Sequence, residues 1–224
     1  MRTREREQSR ADLYLQLSLL LIILIYPMLD QSELWKLILL LVLIFVPVTL
    51  ATVRLSRTRH WMWPSVVLMS GVYIVAAAST IFPYRALIAM KWGMLTAFFG
   101  LSVVGLFSSI RNARTVTNAH LYTAGSIYLL LGLMWFALYS AIDAVVPGAI
   151  LCSAAAATHR HSELLYFSLV TLTTIGYGDV VPLHREVRIL AALEGVTGIL
   201  YVAITVAILV SGYRWSNTSG NSSD

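Results

Sequence analysis

Charge is scarce in this chain. Asp, Glu, Lys and Arg make up 12% of its 224 residues, about half the ~25% of an ordinary soluble domain. With 58% of residues hydrophobic and a mean hydropathy of +0.76, that scarcity excludes a soluble globular protein. Cysteine is nearly absent too. Cys152 alone can form neither an intrachain disulfide nor a cysteine-based metal site, and it reads as a buried or idle thiol. There is no nucleophile–base pair and no cluster of metal ligands, so neither an enzyme nor a cofactor is expected. His159 and His161 are spaced i, i+2 with no third ligand nearby, a weak metal signal. With His184 they read as ordinary solvated histidines, acid sensing being the alternative. The net charge of +5 is spread over short segments between apolar runs, the bias of cytoplasmic loops, and it does not point to nucleic acid.

What is present is a series of apolar runs. Residues 1–12 form a charged segment, Arg2, Arg4, Glu5, Arg6, Glu7 and Arg10. The run 13–29 follows with no small-x-small cleavage site after it, so it reads as a membrane helix rather than a signal peptide. Further spans are expected at about 34–53, with Pro47 as a local bend, and at 66–82, 86–110, 121–146 and 187–212. The Ser-, Asn- and Gly-rich end, 213–224, is expected to be a disordered cytoplasmic tail.

Lys and Arg gather at the N-terminus, in 54–60 (Arg54, Arg57, Arg59), in 111–120 (Arg111, Arg114) and at Arg214. Alternate connections carry few, which predicts a multi-pass protein of the cell (plasma or inner) membrane with both termini cytoplasmic. Arg160, Arg185 and Arg188 are exceptions on the outer side. Residues 111–120 read as a cytoplasmic connector whose basic residues touch anionic membrane lipid.

Between the last two spans, Glu163–Thr173 is a shorter apolar run of about 16 Å at 1.5 Å per residue. That is too short to cross a core of about 30 Å, so it must enter and return. Ser162 is the expected N-cap, with Glu163 suiting the first turn. The negative end of the helix dipole would then point at the membrane centre and favour a cation. The run Thr173-Thr174-Ile175-Gly176-Tyr177-Gly178-Asp179 follows. Glycines at alternate positions allow alternating positive φ, which turns successive carbonyls to one side. Such carbonyls can replace the water around a cation.

The stretch Tyr166-Phe167-Ser168-Leu169-Val170-Thr171-Leu172-Thr173-Thr174-Ile175-Gly176-Tyr177-Gly178-Asp179 resembles the potassium-channel pore-domain family, bacterial two-helix members in particular. So does Leu193-Glu194-Gly195-Val196-Thr197-Gly198-Ile199-Leu200-Tyr201. The resemblance covers roughly 121–212, as outer helix, pore helix, filter and inner helix, and leaves 13–110 as a four-helix domain without a comparable motif. It implies an all-α membrane protein, here with six transmembrane helices plus a re-entrant pore helix and selectivity-filter loop. It also implies a homotetramer passing K+ passively, with K+ held by the Thr174 hydroxyl and the carbonyls of Thr174, Ile175, Gly176 and Tyr177. Gly178 would shape the outer mouth and Asp179 brace it, with Thr173 supporting the filter. Val170 stands where some relatives place a glutamate that bonds the outer aspartate. Tyr166 stands where others offer an aromatic donor, so a Tyr166–Asp179 hydrogen bond is expected. Phe167, without a polar handle, is expected only to pack.

Gly198 and Gly195 on the inner helix read either as a gating hinge or as close-packing positions. Glu194, a carboxylate inside a membrane helix, reads as a structural brace behind the pore helix, or as an ion-attracting or pH-sensing group. A voltage sensor is not expected. Stepping by three from Lys91 meets Met94, Ala97, Gly100, Val103 and Leu106, all uncharged, whereas voltage gating needs several charges there. Gly93, Ala97 and Gly100 read instead as a packing face. The rival readings are a potassium transporter subunit, a non-conducting regulatory subunit and a weakly selective cation channel. The dozen residues after Gly212 leave no room for a regulatory domain, so such control would come from a separate subunit.

Overall fold

The structure, a computed structural model, describes residues 2–29, 62–111, 118–152 and 159–220. The span expected at 34–53 lies outside these residues, as do 112–117 of the expected connector. Six α-helices are described: α1 (Arg2–Ile25), α2 (Met62–Ile81), α3 (Arg85–Arg111), α4 (Asn118–Val145), α5 (Arg160–Leu172) and α6 (Arg185–Gly220). A 3-10 turn, Tyr26–Leu29, follows α1. Two short strands, β1 (Ile150–Leu151) and β2 (Val181–Pro182), pair antiparallel with Ile150 opposite Pro182.

Among the described residues three helical stretches are long and apolar enough to cross a membrane: Arg85–Ser108, Ala119–Val145 and Arg185–Ser211. Val66–Ile81 is apolar but shorter.

The α4 helix is the hub. Ile127, Leu130, Leu131, Leu133, Trp135, Phe136, Ala137 and Tyr139 are all buried, and a helix apolar around most of its circumference belongs inside a structure. It packs against α1, α3, α5 and α6. On α1 the buried apolar residues are Leu15, Leu19 and Ile22, continued by Tyr26 in the 3-10 turn, and Asp12 is buried one turn before them. Their i, i+4, i+7 spacing is one helical face. The Gln16 side chain of α1 lies over Gly125 of α4, where a Cβ would stand 2.6 Å from its Nε2. In lipid such fits replace the hydrophobic drive that packs soluble helices.

Several sequence expectations need correction. α1 begins at Arg2, so residues 2–12 of the charged segment are not separate from the helix but form its first turns. α6 continues to Gly220, so 213–220 is helical rather than a disordered tail. Extending an existing helix adds a hydrogen bond per residue without a new nucleus. The 86–110, 121–146 and 187–212 runs recur with slightly longer helices. The β1–β2 pair was not foreseen, and two-residue strands carry too little pattern to be read.

Candidate functional site

The N-cap of α5 lies three residues before the expected one. His159 is the N-cap, without a side-chain cap bond, and Ser162 lies inside the first turn with Glu163. What holds this end is Arg160. Its Nε and Nη2 donate to the two carboxylate oxygens of Asp143 at 3.1 and 2.5 Å, and Nη2 also donates to the Ile150 carbonyl at 2.8 Å. Nη1 reaches Cys152 Sγ at 3.1 Å. One guanidinium thus ties the end of α4, strand β1 and the start of α5. Hydrogen bonding to Asp143 raises the Arg160 pKa further. This pairing gives a partner to one of the basic residues that departed from the expected charge bias. Cys152 is half-buried, and burial foremost pushes its thiol up, away from a reactive thiolate.

The other end of α5 is a Schellman turn. Thr173 is the C-cap, Thr174 N–H donates to Thr171 O at 3.0 Å, and Ile175 N–H donates to Val170 O at 3.0 Å. The position after the cap, where glycine is usual, is taken by Thr174 at φ 60°. Gly176 (φ 60°) and Gly178 (φ 81°) follow, so positive φ recurs at every second residue from 174 to 178. Thr173 turns away from this segment, its hydroxyl donating to Leu169 O at 2.7 Å.

Tyr166 Oη donates to Asp179 Oδ2 at 2.8 Å, the bond expected from the sequence, and Asp179 Oδ1 accepts from Val180 N–H at 3.1 Å. The Tyr166 and Tyr177 rings lie parallel with centroids 6.4 Å apart. Phe167 is buried and meets Tyr139 edge-on at 5.0 Å. Residues 173–179 are all exposed in the single chain, Tyr177 to 70%.

Behind α5 lies Glu194, fully buried. Tyr139 Oη donates to its Oε2 at 2.7 Å, and Ser168 Oγ lies 2.6 Å from Oε1 and 2.8 Å from the Gly132 carbonyl oxygen. Glu194 therefore faces the α4–α5 interface. Gly198 is also buried, and a Cβ there would clash with the Leu172 carbonyl oxygen. That carbonyl, in the last turn of α5, also accepts from Tyr128 Oη at 3.2 Å. Close packing is thus reason enough for a glycine at 198. At Gly195 a Cβ would meet only ordinary contacts, Thr171 O at 3.7 Å and Thr174 Cγ2 at 3.9 Å.

The positive φ of Thr174, the partners Tyr139 and Ser168, the Tyr128 bond and the Arg160 tie were not read from the sequence. Opposite charges flanking 147–159 and a serine within an apolar helix were the available signs. Among the described residues no group of three or more His, Cys, Asp or Glu could hold a metal ion.

A short amphiphilic helix that ends in an alternating-φ loop, backed by two long apolar helices, defines the pore module of an ion channel. A family model described as "Ion channel" matches residues 124–213. The chain is 36% identical over 81 residues to a two pore potassium channel a of Oryza sativa subsp. japonica, covering 36% of this chain and 20% of that protein. It is 33% identical over 60 residues to the human potassium voltage-gated channel subfamily A member 4, covering 26% of this chain and 9% of that protein. Member 6 of the same human subfamily is 32% identical over 53 residues, covering 24% and 10%. The chain thus spans a fifth or less of the length of these curated relatives. No solved structure is a significant match. Residues 124–213 thus match an ion-channel family, and the curated relatives that the chain resembles are named as potassium channels.

Proposed function

We propose that this protein is a K+-selective channel that conducts passively through a central pore shared by four copies of the chain. The observation that carries the reading is the alternation of positive φ at Thr174, Gly176 and Gly178 directly after the C-terminus of α5. Alternation of this kind turns the carbonyls of Thr174, Ile175, Gly176 and Tyr177 to one side. A ring of such segments forms stacked oxygen cages that replace the hydration shell of K+. The Thr174 hydroxyl adds the lowest layer, Gly178 opens the outer mouth, and Asp179 is held by Tyr166. K+ is the permeant ion, and no other cofactor is invoked.

A single chain leaves this segment exposed, so the site is incomplete without further copies. The α6 helix likewise exposes Ile189, Leu193, Val196, Ile199, Leu200 and Val206, a surface suited to neighbouring copies, pore and lipid. α5, 13 residues and so about 20 Å long, is too short to cross the bilayer and re-enters. The chain in this reading has six spans with both termini cytoplasmic. α3 carries Lys91 between Arg85 and Arg111 at its ends, too little charge for intrinsic voltage sensing. Gating therefore falls to another stimulus, with a separate regulatory subunit as one source.

The test is K+ and Na+ flux in proteoliposomes, with Gly176→Asp as a blocked control. Passive, K+-selective flux that vanishes in the variant supports the channel. Flux that needs a proton or sodium gradient would instead make the chain a transporter subunit, and no flux would make it a regulatory one.

A further inference from the structure

We propose that Glu194 is held as a neutral carboxylic acid, one link in a directed chain of hydrogen bonds that positions α5 between α4 and α6. The number of protons available to three contacts points to this state. Three short contacts run in series: Tyr139 Oη to Glu194 Oε2 at 2.7 Å, Glu194 Oε1 to Ser168 Oγ at 2.6 Å, and Ser168 Oγ to Gly132 O at 2.8 Å. Tyr139 and Ser168 supply one hydroxyl proton each. If Glu194 were ionised, two protons would serve three contacts. Should Ser168 then donate to the carboxylate, its oxygen would face the Gly132 carbonyl with no proton between them.

One proton on Oε1 resolves the series. Tyr139 donates to Oε2, Oε1–H donates to Ser168 Oγ, and Ser168 donates to the Gly132 carbonyl. Every donor is then used once and every contact is filled. The surroundings agree. The partners of the carboxyl among the described residues are these two hydroxyls, with no ammonium, guanidinium or imidazole beside it. Tyr128, the next phenol on α4, donates elsewhere, to Leu172 O. A buried carboxyl without a cation takes up a proton rather than remain charged. Glu194 is thus a positioning residue. It fixes the helix whose C-terminal turn carries Thr174, and only its consequence for conduction rests on the channel reading above.

The test is infrared spectroscopy of the full chain in liposomes. A protonated-carboxyl C=O band is expected that disappears in Glu194→Gln. It should move to higher frequency in Tyr139→Phe, which removes the donor to the C=O oxygen. Wild type and Glu194→Gln superimposing in that region, or a Tyr139→Phe band left in place, would overturn the assignment. The band is read whether or not the protein conducts, so its absence would leave the channel reading standing. Thermal unfolding tests the strut separately. Glu194→Gln, an amide that mimics the neutral acid, should melt above Glu194→Leu, and the opposite order would overturn that role.

Discussion

Thr174 sits in a backbone conformation that β-branched residues disfavour, at a cost of about 1–3 kcal/mol. The Schellman turn demands that conformation and a glycine would supply it freely, so a threonine there points to use of its hydroxyl. Thr174→Gly should leave thermal stability unchanged or raise it by about 1 kcal/mol, since strain relief is partly offset by backbone entropy. K+ over Na+ permeability should fall in the same variant. A clear loss of stability would mean that the turn does not strain the residue. Tyr166→Phe removes one hydrogen bond worth about 1 kcal/mol, and K+ current should decay roughly fivefold faster at that energy. Unchanged decay would show that Asp179 needs no such support. At this scale the backbone of 176–178 was legible, because Gly176 and Gly178 signal positive φ by their identity. Thr174 was opaque, because its φ follows from how α5 ends and not from the residue itself.

Helices are held in place here by a few close backbone approaches and polar ties. Gly198 lies against the Leu172 carbonyl, so Gly198→Ala must push α6 off the end of α5. We expect a loss of about 1–3 kcal/mol, typical of overpacking, read as a lower unfolding midpoint in detergent. If glycine serves there only as a hinge, alanine would leave the midpoint alone and change open probability. Arg160→Ala removes bonds to Asp143 and Ile150 O and should cost about 2 kcal/mol, with protease sensitivity rising first around 143–160. Apolar run length made most of the helices legible. Their ends were less so: Ser162 resembles a cap, yet the tie from Arg160 to Asp143 and β1 extends the helix past it. That tie joins residues 17 positions apart, beyond the reach of any local pattern.

At the scale of the whole molecule, the proposed tetramer gives a use to what a single copy leaves uncovered. Residues 173–179 and the apolar face of α6 are exposed together, and four copies around an axis would cover or line both. Native mass spectrometry should therefore find four chains, whereas a persistent monomer would break the account. Conductance should vary little with voltage beyond the ion gradient itself, since α3 lacks a ladder of charges. The decisive measurement is the reversal potential of the purified protein in a planar bilayer with K+ on one side and Na+ on the other. The account predicts a large potential of the sign set by K+, abolished in Gly176→Asp. A reversal potential near zero, with current flowing, would contradict a K+-selective pore at 174–178.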